Sequence, residues 1–143
     1  MNQILNKPYK SIWWSIPVIL GLSIIGFNSA IDIQMHDTYF VIASIHIGLL
    51  FSVLLGIIGL IYWLIRNKRL VNWMTAIHVT STILTFALII LTGLIFKKVI
   101  ESDFETFRTI NQILFAIILY AFLSQLIFIT NLILSLIKSK EKK

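Results

Sequence analysis

Residues 38–65 read TYFVIASIHIGLLFSVLLGIIGLIYWLI, and no acid or base interrupts them except His46. A hydrocarbon core ~30 Å thick is crossed by about 20 apolar residues in a helix, so this run is long enough to span a bilayer with room to tilt. It closes on the basic cluster Arg66, Lys68 and Arg69. Beyond that cluster, 73–96 holds only His78 as a titratable group, and 107–137 carries no charge after Arg108. Before it, 12–27 is a shorter apolar run that follows Lys7 and Lys10 and stops at Asn28-Ser29, a turn-forming pair. The three longer runs exceed the strands of a membrane barrel. The pattern predicts an all-α fold, a single four-helix transmembrane bundle with spans at about 12–27, 38–65, 73–96 and 107–137. A positive start and an apolar middle are also what signal sequences share, so 12–27 has that second reading.

The composition agrees with this. The chain has 143 residues, of which 58% are hydrophobic and 13% charged, with a mean hydropathy of +0.93. Such a balance excludes a disordered chain or a water-soluble domain. Cysteine is absent, which removes disulfides, thiolate metal sites and Cys nucleophiles. Twelve Lys and Arg stand against six Asp and Glu, a net +6. In a soluble protein that excess would point to nucleic acid; here it flanks apolar runs, and the expected partner is the lipid bilayer. The basic residues fall two before the first span, none in the next loop, then three, three and four at the C-terminus. Lys97, Lys98 and Arg108 share their loop with Glu101, Asp103 and Glu105, so both termini are expected in the cytoplasm. The loop with Asp32, His36 and Asp37 then lies outside.

Three histidines are the candidate ligands. His46 stands eight positions past Thr38, about 12 Å into a helix that starts there, and an imidazole at that depth either hydrogen-bonds across helices or ligates a metal. On spacing alone, the hydrogen-bonded reading is favoured. His78 begins its span from the opposite side of the membrane, so the two imidazoles do not clasp one haem within a single chain, and His78 reads as a packing histidine bonded to a neighbouring helix. His36-Asp37 pairs an imidazole with a carboxylate, two ligands where a divalent cation needs more; a helix mouth capped by Asp37 or Thr38 explains it equally. Trp13, Trp14, Tyr62, Trp63 and Trp73 form an expected interfacial belt. Thr75, Thr80, Ser81, Thr82, Thr85 and Thr92 give the third span a stripe of small polar residues suited to close helix contact. No phosphate loop, catalytic carboxylate pair or Ser-His-acid grouping is present.

The segment 31–46, IDIQMHDTYFVIASIH, resembles the hallmark stretch of haem–copper oxidase subunit I, the catalytic subunit of cytochrome c oxidase, whose pattern runs D-I-x-x-H-D-T-Y-x-V-x-A-H-x-H. The likeness extends to 21–30, to 73–93 with Ala76-Ile77-His78, and to 108–139 with Asn111, so the chain resembles the last four helices of a twelve-helix subunit. It runs through the first apolar segment unbroken, which favours a crossing there over a cleaved leader. The resemblance implies that His46 is an axial ligand of low-spin haem, and that His36 and Asp37 bind Mg²⁺ beside a neighbouring subunit. The family's high-spin haem ligand, two residues earlier, is Ser44 here. The helices that bring the copper ligands have no counterpart, so no copper site and no oxygen reduction by this chain alone are expected. What the resemblance implies is a haem-binding component of respiratory electron transfer in the bacterial inner membrane, joined to other respiratory-complex subunits or to a second copy of itself. The alternative is a haem-free accessory or assembly protein derived from the oxidase fold.

Overall fold

The computed structural model describes residues 7–35, 37–100 and 104–140. Four helices alternate in direction: α1 (Pro8–Ile25), α2 (Ser44–Leu64), α3 (Asn72–Ile100) and α4 (Phe104–Lys140). Between α1 and α2 lies an antiparallel hairpin, β1 (Ala30–Met35) and β2 (Thr38–Ala43), in the register Ala30↔Ala43 to Met35↔Thr38.

Pro8 opens α1 at a position where its missing N–H costs nothing, and Pro17 lies inside the helix without ending it. With only 18 residues beginning Pro-Tyr-Lys, α1 is not among the helices long and apolar enough to cross a membrane. Three are: Ser44–Leu64, Asn72–Phe96 and Glu105–Ile137. The chain therefore has the marks of a membrane protein, carried by three helices where the sequence pattern anticipates four.

A second difference concerns where the second span begins. Thr38–Ala43 is a strand and the helix starts at Ser44. Five of the six residues TYFVIA are β-branched or aromatic, favourable for a strand, and their partner AIDIQM lies close in sequence. Asp37 occupies the turn of the hairpin, and α2 is preceded by Ala43 with no side-chain cap, so the expected capping role of Asp37 or Thr38 is replaced by strand pairing. The other boundaries run past the expected ones at both ends of α3 and α4.

Packing is by close contact of small residues. A Cβ at Gly48 would collide with the Ser23 side chain, and one at Gly59 with the Trp13 indole, so α1 and α2 approach closely at two levels. α1 lies along α2 and also against α3, whereas α4 packs chiefly along α3 and touches β1. The core holds Ile12, Ile19, Leu55, Tyr62, Val79 and Ile90, all fully buried. Ile31 of the hairpin seats against Gly93 of α3, and Asn111 of α4 reaches the same hairpin from the other side.

Candidate functional site

Two polar assemblies hold the helices in place. At the hairpin end, Ser29 and Ser44 share a hydrogen bond of 2.7 Å between hydroxyls, and the Ser44 amide donates to the Ser29 carbonyl at 3.0 Å. Ser44 is fully buried. The face of α2 that carries Ser44 is thus closed by Ser29 and by the Ile31–Gly93 contact. Beside it, the Asn111 side chain accepts from the Gln34 amide at 3.1 Å and donates to the Gln34 carbonyl at 2.9 Å, pairing with the β1 edge as a neighbouring strand would.

The second assembly lies at the opposite half of the bundle. His78 is fully buried. Its Nε2 lies 3.1 Å from Gln125 Oε1 and its Nδ1 3.0 Å from the Tyr62 hydroxyl. An amide oxygen only accepts, so Nε2 carries the proton and Nδ1 accepts from Tyr62. Gln125 Nε2 continues the chain by donating to Thr82 Oγ1 at 3.2 Å and to Ser124 Oγ at 3.3 Å. Phe128 stacks on the imidazole at 4.6 Å between centroids, with the planes 15° apart, and lies 5.0 Å from the Tyr62 ring. One imidazole therefore joins α2, α3 and α4. Further along the same seam, Ser81 and Tyr120 hydroxyls meet at 2.9 Å, and buried Asn131 accepts from the Val71 amide at 2.9 Å and donates to Thr75 Oγ1 at 2.9 Å.

The reading of His78 as a packing histidine bonded across helices describes this arrangement. Tyr62 does not belong to the interfacial belt: it is fully buried and serves His78. Trp14 and Trp73 are well exposed, and Trp13 and Trp63 partly so, as belt residues would be. Of the expected stripe, Thr75, Ser81, Thr82, Thr85 and Thr92 are buried, whereas Thr80 is exposed. Gln125 and Asn131, which hold the seam from the α4 side, were invisible to a search for ionisable groups; isolated amides in an apolar helix were the available signal.

His46 is exposed on the outside of α2, opposite in aspect to buried Ser44. Because α2 starts at Ser44, His46 lies in the first helical turn, not 12 Å into a helix begun at Thr38. Among the described residues it has no hydrogen-bond partner. His36 lies outside the described residues; Asp37 is exposed, and no group of three or more metal-ligating side chains occurs among the described residues.

These positions bear on the implied haem. Tyr62, which bonds His78, stands sixteen residues along α2 from His46, or about 24 Å. Both nitrogens of His78 are engaged and its ring faces are covered. A haem held between His46 and His78 of one chain does not fit this arrangement, and no other imidazole stands among the described residues to complete an iron site at His46.

A groove completes the site. Where α2 and α4 diverge, a cavity of about 510 Å³ opens between them. Leu54 and Ile58 form one wall, Ile118 and Phe122 the other, with the stacked rings of Phe51 and Phe86 between, 4.0 Å apart. Ile33 and Ile42 of the hairpin close one end and Gln125 lies at the other. Compared with known protein families, with curated proteins and with solved structures, the chain matches none.

Proposed function

We propose that this chain is an accessory integral membrane protein related to haem–copper oxidase subunit I, acting through association with other membrane subunits and holding no haem of its own. The observation that carries this reading is the place of His46. An imidazole deep in hydrocarbon would need a ligand to offset the cost of its position. In the first turn of α2, headgroups and water meet that need. The other intramembrane imidazole, His78, is satisfied by Tyr62 and Gln125. The proposed setting is the bacterial inner membrane, with α1 crossing beside α2 as a fourth, shorter pass, which puts both termini in the cytoplasm in keeping with the basic residues around the ends.

A second reading is a haem-binding component of respiratory electron transfer. One observation favours it: His46 points outward among Leu49, Leu50 and Val53, all exposed, where an iron shared with another subunit or a second copy could reach it. Mg²⁺ at Asp37 and His36 belongs to this reading and needs a neighbouring subunit's ligands.

Visible spectra of the protein purified in mild detergent from haem-replete membranes, oxidised and reduced, separate the two. The accessory reading expects no Soret band in either the wild type or His46→Ala, with larger oxidase subunits recovered in the same preparation. A Soret band and a sharp reduced α-band, both lost in His46→Ala, would overturn it in favour of the haem reading.

A further inference from the structure

We propose that the outer edge of β2 is a dimerisation surface, on which β2 of a second copy of this chain pairs antiparallel about a two-fold axis at Val41 and joins the two hairpins into one continuous sheet. The proposal rests on the membrane-embedded reading of the chain and not on its relation to the oxidase.

The register fixes which backbone groups β2 turns outward. The Ser44 amide donates to the Ser29 carbonyl directly across the hairpin, so the bonded pairs that follow are Ile42–Ile31, Phe40–Ile33 and Thr38–Met35. The residues between them aim their N–H and C=O groups away from the partner strand. On β1, Gln34 obeys this parity, since its amide and its carbonyl both bond the Asn111 side chain. On β2 the outward set is Tyr39, Val41 and Ala43. The strand packs on β1 and on the helix it runs into, and on no other element to a comparable extent. A free edge is ordinarily blunted by a charge, a proline or a bulge. TYFVIA has none of these, and Phe40, Val41 and Ile42 are 45%, 61% and 36% exposed.

Symmetry selects the occupant. Because the outward set is centred on Val41, a second β2 turned end for end presents the same set in matching order. Val41 then exchanges both backbone bonds with Val41 of the second copy, and each Ala43 amide donates to the opposite Tyr39 carbonyl, while the Ala43 carbonyl is left to the first turn of α2. On the face toward the bundle, Phe40 lies opposite Ile42 of the second copy, an aromatic against a β-branched side chain, and no two charges are opposed.

The strand also lies the right way for two copies in one bilayer. Ile31 meets Gly93 of α3 and Gln34 meets Asn111 of α4, each seven residues from the turn between Ile100 and Phe104, so the hairpin strands run across the helices at one level. Ile33 and Ile42 on the inner face cover the end of the groove between α2 and α4. A two-fold axis perpendicular to such a sheet runs along the bilayer normal, and both copies keep the same orientation.

The chain has no cysteine, so single-cysteine variants read the register directly. Residues opposite one another at a non-bonded antiparallel position have Cα atoms about 4.5 Å apart, within disulfide reach of ~4.4–6.8 Å. When differently tagged copies carrying Phe40→Cys and Ile42→Cys are oxidised together in membranes, the mixed disulfide is expected to form in preference to either matched one. Val53→Cys, on the exposed face of α2, is expected to remain uncrosslinked. Native mass spectrometry in mild detergent is expected to give twice the 16.4 kDa chain mass for wild type and the single mass for Val41→Pro. The Val41 N–H faces outward, so proline there removes no bond inside the hairpin. Circular dichroism melting establishes that the fold persists; should Val41→Pro unfold, Val41→Lys, which sets two like charges together at the axis, takes its place. A monomeric wild type, a dimer that survives in a folded edge variant, or equal cross-linking at all positions overturns the proposal. So does a mixed disulfide between the edge cysteines and a different protein of the membrane. Absence of larger oxidase subunits from the same preparation would instead count against the accessory reading and leave the dimer standing.

Discussion

The Nε2 of His78 and the Oε1 of Gln125 meet at 3.1 Å across the seam between α3 and α4, while the Tyr62 hydroxyl takes the other side of the same ring. The pairing is selective for an amide at 125, since the oxygen serves the imidazole and the nitrogen serves Thr82. A hydrocarbon side chain there leaves both partners without a match in a dry interior.

Gln125→Leu is expected to lower stability by about 1–3 kcal/mol, the cost of orphaning a buried polar group. His78→Leu should cost a similar amount by stranding the Tyr62 hydroxyl. In the double variant the two losses add to less than their sum, with a coupling of roughly 0.6–1.7 kcal/mol, as found for hydrogen bonds between membrane helices. Unfolding in mixed micelles with increasing denaturing detergent reads these differences; strictly additive losses would mean the 3.1 Å contact contributes nothing.

At Gly48 the α1 and α2 backbones approach too closely for any side chain, because the Ser23 side chain fills the space. Gly48→Leu is expected to destabilise by about 1–3 kcal/mol through overpacking. Gly56, on the same helix, has open space where a Cβ would lie, so Gly56→Leu is the matched control and should leave the melting temperature nearly unchanged.

Two asparagines twenty residues apart on α4 make comparable bonds in different surroundings. Asn131 is fully buried and ties Val71 and Thr75; Asn111 bonds the Gln34 backbone at an exposed position. Water or headgroups can replace the second set but not the first. Asn131→Leu is thus expected to lose about 1–3 kcal/mol and Asn111→Ala under about 1 kcal/mol. Hydrogen exchange at the Val71 and Gln34 amides distinguishes them: the first should quicken in Asn131→Leu alone, the second in Asn111→Ala alone.

His46→Leu should be nearly neutral for folding, within about 0.5 kcal/mol, since the ring is exposed and makes no hydrogen bond among the described residues. Thermal melting in detergent checks this. A large loss would show that the imidazole has a structural partner and would shift the interpretation of the outer face of α2.

The helices were legible because uninterrupted apolar runs of this length have few other uses. The hairpin was not. TYFVIA runs directly into the apolar helix SIHIGLL with no Gly, Pro or charge between them, and a short apolar run has no periodicity that separates strand from helix. That boundary puts His46 in the first turn of α2 and not eight positions into a helix. His78 was read correctly because depth alone separated it from His46. Its partners escaped notice for different reasons: Tyr62 sits beside Trp63 and looked interfacial, and Gln125 has no charge to draw attention. Long-range pairing of neutral groups leaves no local trace in sequence.

Since α4 packs chiefly along α3, the structure has a natural order of construction. A chain still emerging from the ribosome can complete the interlocked body of the first three helices, glycine contacts included, before residue 104 appears. The last helix then docks like a leaf against a finished spine, guided by Asn111 at one end and Asn131 at the other.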